Sequence, residues 1–307
     1  MRRWIAAFAV AAAGAVTLAG SPAQATIADT EAASLAESPA PTTIADKRND
    51  FDSDGIGDVI GVNYDTLYIW KGDGSGDIQS GVTLGAGWLP YRESLSTPGD
   101  LNSDGDGDLV GINYDNGCLY RWYGDGSGGI GSGVQLGCGW SPFSFSLAGA
   151  GDLNNDGDGD LVGTSDSNGC LYRWSGNGNG GFETAVQLGC SGWDNYRGNL
   201  TGAGDLNGDG NADLVGINSS NGCLYRFNGN GSGGISSGVQ LGCGWAAYAR
   251  SLSGLGDFNG DGRGDLVAIQ YYADGNGDLY RWHGNGTGGY NSPAAIGSSF
   301  WNIDLAQ

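Results

Sequence analysis

An all-β fold, a β-propeller of about five four-stranded blades, is what the sequence predicts. Three observations predict it. A motif opened by Asp50, Asp100, Asp152, Asp205 and Asp257 recurs at intervals of 50, 52, 53 and 52 residues. A repeat of that length belongs with propellers and solenoids. Each unit holds four short apolar or alternating runs separated by Gly-rich turn clusters. No segment carries the 3.6-residue periodicity of an amphipathic helix.

The second unit gives the strand order. The segment from Phe143 to Ala150, and its counterparts before each Asp motif, is rich in Ser, Ala and Gly, as an innermost strand crowded around an axis requires. After the motif comes a continuous apolar run, Leu109-Val110-Gly111-Ile112, suited to a strand buried on both faces. Cys118 to Trp122 alternates and forms the third strand. Gly124 to Gly129 reads as a hairpin turn, and Val134 to Cys138 as the outer strand. A β-helix, the other architecture considered, repeats at shorter intervals and needs fewer turn clusters per unit. The last unit ends in Trp301 to Leu305, which resembles the start of another inner strand. It competes with Thr43-Ile44-Ala45 to close the ring.

Composition narrows the class. Gly makes up 62 of 307 residues, far from the third that collagen needs, while 10 Trp and 14 Tyr exclude a disordered linker. Met1 to Ala25 reads as a secretory signal: Arg2 and Arg3, an apolar run from Trp4 to Leu18, and Ala23-Gln24-Ala25 as the cleavage site. That run is short for a membrane span. Residues 26–42 read as a disordered spacer and 43–307 as the propeller. Lys47-Arg48 reads as a solvated strand end rather than a processing site. The expectation is a secreted, extracellular monomer with no membrane insertion.

The net charge is −21, and −23 once Arg2 and Arg3 leave with the signal, which argues against nucleic acid and anionic membranes as partners. Only four of the 34 acidic residues are Glu. Asp alone, in clusters, points to short carboxylates held in tight loops.

Those loops have a fixed pattern. Position 1 is Asp50, Asp100, Asp152, Asp205 and Asp257. Position 3 is Asp52, Asn102, Asn154, Asn207 and Asn259. Position 5 is Asp54, Asp104, Asp156, Asp209 and Asp261, and position 6 is always Gly. Position 7 varies through Ile56, Asp106, Asp158, Asn211 and Arg263, a variety that only a backbone carbonyl ligand tolerates. Position 9 is Asp58, Asp108, Asp160, Asp213 and Asp265. Hard oxygen donors at this spacing select Ca²⁺, so about five calcium ions are expected, bound as separate sites. The spacing begins like an EF-hand loop, but position 12 is Gly61 or Gly111 rather than a bidentate Glu, so the Asp at position 9 closes the site. Metal-free Asp-Gly turns would leave three or four carboxylates repelling one another in each loop.

The pattern D-x-[DN]-x-D-G-x-x-D followed by an apolar strand, five times over, resembles the FG-GAP or VCBS repeats of integrin-type propellers and of many secreted actinobacterial proteins. The resemblance covers roughly residues 44–307. It implies Ca²⁺ in the hairpin between the two inner strands of each blade, and a scaffold for adhesion and recognition. Integrin-type propellers have seven blades, whereas five motifs are present here.

Cys118 and Cys138, Cys170 and Cys190, and Cys223 and Cys243 are each 20 residues apart, at the same two places in units two to four. Units one and five lack both members: Thr66 with Ala86, and Asp278 with Ser298. Joint loss within a unit predicts bridges within a unit, although six Cys allow 15 connectivities.

Catalysis finds little support. His283 is the sole His and reads as a surface residue in a turn, so neither a Ser-His-Asp nor a Cys-His site assembles. An Asp-pair glycosidase built from residues such as Asp115, Asp166 and Asp194 is the remaining enzymatic reading. Binding has better support. Trp88, Trp140, Trp193 and Trp245 recur after the outer strand, with Tyr91, Phe143, Tyr196 and Tyr248 three residues on. Arg121, Arg173, Arg226 and Arg281 recur in the third strand. These rings either stack on carbohydrate or pack one blade on the next. Carbohydrate is the expected partner, and a cell-surface protein the alternative.

Overall fold

A computed structural model describes residues 48–307; the signal, the spacer, Thr43-Ile44-Ala45 and Lys47 lie outside the described residues. The chain forms five antiparallel sheets of four strands each, the blades of a propeller, with no α-helix among the described residues. Blade 2 is typical. Its strands, from axis to rim, are Ser96–Gly99, Asp108–Asn113, Cys118–Trp122 and Val134–Cys138. The burial pattern follows that order: the inner strand is wholly buried, and the outer one is half-exposed to exposed.

The inner strands need small residues because their backbones nearly touch. A Cβ on Gly254 would sit 1.8 Å from the carbonyl oxygen of Gly202 in the preceding blade. The axis itself is filled. Arg48 is 3% exposed, with its stem against Gly99 and Gly151 and its guanidinium beside Gly202. The solvated strand end expected at Arg48 is therefore corrected: the long side chain fills the bore that the Gly-rich inner strands leave open.

The ring closes through the C-terminal segment. Ile303–Leu305 pairs with Val59–Asn63, Gly61 opposite Leu305, and completes blade 1 from the far end of the chain. Gln307 then reaches the axis, its backbone accepting N–H bonds from Thr97 and Gly149 and donating to Leu95.

Disulfides join Cys118 to Cys138, Cys170 to Cys190 and Cys223 to Cys243. In blades 2 and 4 the two cysteines stand directly opposite on the third and outer strands. Each therefore ties down the least buried strand of its blade.

The seams between blades follow one plan. Trp88 packs 4.7 Å from Trp122 of the next blade, and Tyr91 meets the same ring edge-on at 4.8 Å. Trp140 on Trp174, Trp193 on Phe227 and Trp245 on Trp282 repeat the contact, and Phe300 on Trp70 closes the fifth seam. Cationic latches cross the same seams. Arg121 donates to the carbonyls of Asn179 and Gly180 in the hairpin of blade 3, and Arg281 to Ser75 and Gly76 of blade 1. The guanidinium groups of Arg173 and Arg226 lie against Gly233 and Gly288. Blade 1 has Ile69 at the Arg position, and Lys71 donates instead to Ser127 of blade 2 at 3.0 Å. The repeated Arg residues are thus engaged in blade-to-blade contacts.

A matched pair of substitutions checks this plan. Gly233 has φ +78° and a Cβ there would collide with the Arg173 guanidinium, so Gly233→Ala should cost about 1–2 kcal/mol from the left-handed backbone alone, with the lost latch added. Gly242 faces open space in the outer strand, so Gly242→Ala should stay within about 0.5 kcal/mol of the parent. Denaturant unfolding of both variants measures the contrast, and equal effects would refute the seam description.

Candidate metal centre and seam cleft

In blades 2 to 5 the Asp loop joins the inner strand to the second strand; in blade 1 it leads into the second strand, Val59–Asn63, whose inner neighbour comes from the C-terminus. Each loop folds around its own carboxylates. The position 1 carboxylate accepts the backbone N–H groups of positions 5 and 6: Asp50 from Asp54 at 3.1 Å and Gly55 at 3.0 Å, Asp152 from Asp156 at 3.1 Å and Gly157 at 2.8 Å. Position 5 caps the turn by accepting the N–H of position 7, as Asp54 does from Ile56 at 2.8 Å. Position 6 is left-handed, with φ of 85° at Gly55 and 95° at Gly105, which explains the invariant Gly. Position 4 is left-handed as well. Ser53, Ser103 and Asn155 occupy it in three loops, Gly208 and Gly260 in the others.

In the first loop one oxygen each from Asp50, Asp52 and Asp54 lie within 4.8 Å of one another. Oδ1 of Asp52 is buried without a hydrogen-bond partner, while its Oδ2 is 2.9 Å from the ammonium of Lys71. An orphaned carboxylate oxygen aimed into a cluster of acids is the arrangement a hard cation would complete. In the other loops the position 3 amide donates to position 5: Asn102 to Asp104 at 2.7 Å, Asn154 to Asp156 at 2.6 Å, Asn207 to Asp209 at 3.0 Å, and Asn259 to Asp261 at 3.3 Å. The Oδ1 of Asn102, Asn154 and Asn259 accepts the position 5 backbone N–H and is the hard donor each Asn would offer a cation. The donor set therefore fits Ca²⁺.

The side chains at position 7 turn to neighbours. Asp106 accepts from Ser53 of the preceding loop, Asn211 from Asn155 at 2.9 Å, and Arg263 donates to Asp261 at 3.3 Å. Ile56 packs against Phe258 in the apolar cluster between blades 5 and 1. Adjacent loops also share backbone bonds: Gly107 N–H to the Asp50 carbonyl at 2.7 Å, Gly159 to Asp100 at 3.2 Å, and Gly57 to Asp257 at 3.0 Å. At three junctions the position 4 side chain of one loop reaches the position 7 side chain of the next: Ser53 to Asp106, Ser103 to Asp158 and Asn155 to Asn211.

Position 9 does something the sequence pattern did not reveal. Asp58, Asp108, Asp160, Asp213 and Asp265 are at most 1% exposed. Each spans two hairpins. Asp108 accepts Leu101 N–H of its own loop at 2.8 Å and Gly124 N–H of the turn between the third and outer strands at 2.9 Å. Asp58 does so with Phe51 and Gly72, Asp160 with Leu153 and Gly176, Asp213 with Leu206 and Gly229, and Asp265 with Phe258 and Gly284. Burial pushes Asp58, Asp108, Asp160 and Asp213 up to about 7 against two opposing N–H bonds. Burial likewise raises Asp265, to about 6. Its lower value reflects His283, whose Nδ1 is 3.1 Å away. His283 is thus no surface residue but is held at the fifth loop, also 2.8 Å from Asn259, because its position follows the seam aromatic Trp282.

Trp88, Trp140, Trp193 and Trp245 all lie in the seams. Trp88 is buried. Trp245 lines a cleft of about 300 Å³ between blades 4 and 5, with Tyr248, Trp282, Tyr290, Asn291 and Pro293. No carboxylate lines this cleft. Asp166 and Asp194 share Arg197 instead, at 3.0 and 3.2 Å.

The FG-GAP-like repeat profile matches residues 100–162, 152–215 and 205–268, together more than half of the chain. The chain belongs to the FG-GAP repeat family. This FG-GAP propeller is also similar to solved structures. One, from Agrocybe aegerita, recognises non-reducing terminal N-acetylglucosamine. It shares 17% identity over 84% of each chain, with a TM-score of 0.40. A mutant of AofleA from Arthrobotrys oligospora shares 11% identity over 81% of this chain and 73% of its own, with a TM-score of 0.45. The fucose-specific lectin of Aleuria aurantia shares 10% over 78% and 72%, with a TM-score of 0.37. No curated protein matches the chain. Among the described residues, no helix is long and apolar enough to cross a membrane.

The position 9 shifts set a pH dependence for the calcium-free protein. A buried Asp raised from 3.8 to about 7 binds a proton in the folded state that the unfolded state has released. Its contribution to stability is full below the unfolded value and is lost as pH rises through the folded one. In chelator, the melting temperature of the FG-GAP propeller should therefore fall between about pH 5 and about pH 8. Millimolar Ca²⁺ should flatten or reverse that slope. A melting temperature that rises over this interval in chelator would contradict the assignment.

Proposed function

We propose that this FG-GAP propeller is a secreted, calcium-loaded, non-enzymatic recognition scaffold that binds carbohydrate in the lectin manner, in the cleft between blades 4 and 5. The observation that carries the reading is the lining of that cleft. Four aromatic side chains, Trp245, Tyr248, Trp282 and Tyr290, meet the polar Asn291, with no acid to act as nucleophile or base. Aromatic faces with a few polar groups suit a sugar ring, which presents C–H groups on one face and hydroxyls at its edge. At about 300 Å³ the cleft is at the small end of ligand sites, the scale of one sugar residue. The other blades carry Gln79, Gly131, Glu183 and Ser236 at the place of Asn291.

Calcium in this reading is structural. Asp50, Asp52, Asp54, the Ile56 carbonyl and Asp58 would hold the first ion, and the equivalent residues the other four. The ion would supply positive charge to loops that hold the blades in register. A protein-binding adhesin is the second reading. It is favoured by the exposed Tyr64, Leu89, Tyr114, Phe145, Tyr272 and Trp301, all in turns on the face opposite the Asp loops.

A glycan array on the calcium-loaded protein should show binding to terminal sugars. Asn291→Ala should weaken it several-fold with an unchanged melting temperature, because the Asn291 side chain is exposed and outside the ring stack. An array without signal, or binding indifferent to Asn291→Ala, would reject the cleft as a carbohydrate site.

A further inference from the structure

The five repeats are alike where blades are built and differ in turn length on the face opposite the Asp loops. Blade 5 has three more residues between Asp265 and Leu279 than blade 2 has between Asp108 and Leu119. In repeat proteins such insertions map to loops on one face, often the binding face. Here the longer turn lines a pocket of about 350 Å³ with Tyr271 and Gly275; Arg92, Arg250, Asn302 and Asp304 supply its polar wall.

Backbone strain concentrates at this pocket. Between blades 3 and 4 the chain turns through Arg197 at φ −57°, ψ 126°, then Gly198 at φ +63°. That is a type II turn, which calls for Gly at its second central position. Between blades 4 and 5 the same turn runs through Ala249 at φ −58°, ψ 139°, but its left-handed place is held by Arg250 at φ +70°. Asn302, at φ +46°, and Tyr64, at φ +53°, are left-handed beside it and joined by a 3.0 Å hydrogen bond. Costly backbone conformations of this kind persist at ligand sites.

The side chains define a chemistry. Arg92 is committed to Asp304 through Nε at 2.6 Å. Arg250 is exposed and acts on Asp304 through its charge, while no side-chain hydrogen bond or ion pair within 4.0 Å holds its guanidinium among the described residues, so its donors face the pocket mouth. Phe300 takes the seam place that Trp holds elsewhere, so Trp301 is left 45% exposed, its ring beside Gly275 at the pocket rim.

We propose that this pocket is a second saccharide site whose ligand is a terminal uronic acid residue, a proposal that rests on the carbohydrate reading of the fold. The carboxylate would meet Arg250 in the bidentate geometry that guanidinium favours. The ring would lie on Trp301, and hydroxyls would donate to Asn302 Oδ1 and Asp304. A chain of net charge −21 repels a long polyanion, which favours one terminal acidic sugar.

Calorimetric titration of the calcium-loaded protein with the methyl glycosides of glucuronic and galacturonic acid, beside those of glucose and galactose, tests this. At least one uronide should bind about tenfold or more tighter than its neutral parent. Arg250→Gly restores the residue that Gly198 provides in the sister turn, so it should keep or raise the melting temperature. It should weaken the uronide about tenfold or more, whereas Asn291→Ala in the seam cleft should leave uronide binding unchanged. Uronides bound no better than neutral sugars, or bound equally well by Arg250→Gly, would overturn the proposal. Loss through Asn291→Ala alone would overturn it too, by assigning the binding to the seam cleft.

Discussion

One buried carboxylate per blade organises this molecule. In every blade the Asp at position 9 bonds both to its own Asp loop and to the turn between the third and outer strands. It fixes where the second strand begins and how the third strand turns back. Such a group is costly. It is removed from water, it lies near the other acids of its loop, and in four of five blades no salt bridge reaches it among the described residues. Two N–H bonds offset part of that cost. The remainder calls for positive charge, and the converging oxygens of positions 1, 3 and 5 indicate where it would sit. Adjacent loops also share backbone bonds, the Gly107 N–H to the Asp50 carbonyl among them.

Recurrent packing and the residues that break the repeat occupy different parts of the unit. Positions that recur five times hold the fold: the Asp loops, the seam aromatics and the cationic latches, with Lys71 substituting for Arg in blade 1. Features that break the symmetry cluster around blades 5 and 1. They include Asn291 in the seam cleft, the lengthened turn after Tyr271, Arg250 in a glycine's place, and Trp301 displaced outward by Phe300. A ring built from copies of one unit must accommodate the join between its first and last blades. In this propeller the join is also where side chains are least committed to packing.

Much of the architecture was legible because it depends on local spacing. The Asp motif marks the first hairpin of every blade, and joint loss of Cys118 and Cys138 counterparts in two units reveals the bridges. What escaped depends on contacts across the ring. Nothing local distinguishes an Arg121 that latches the next blade from one that faces a ligand. Nor does anything local tell that Arg48 fills the axis or that His283 packs on the fifth loop; Trp301 to Leu305 is legible as an inner strand, and its pairing with Val59–Asn63 shows that it completes blade 1. The Trp88 series illustrates the same limit: its period is visible in sequence, but its commitment to the seams is settled only by which blade lies beside it. Position 4 carries a further local signal. Position 4 of the Asp loops is always Ser, Asn or Gly, the residues that tolerate a left-handed backbone.

The central claim is that calcium holds these blades together. At dissociation constants of order 10⁻⁴ M and about 1 mM free ion, each site would add roughly 1.4 kcal/mol, so five would rival the whole stability of an ordinary domain. Calorimetric titration of the chelator-treated protein, read together with its melting temperature before and after, tests this most directly. The account predicts uptake of about five Ca²⁺ ions per chain, with a large rise in melting temperature that completes only as the last sites fill. Absence of uptake, or uptake that leaves the melting temperature unmoved, would contradict it.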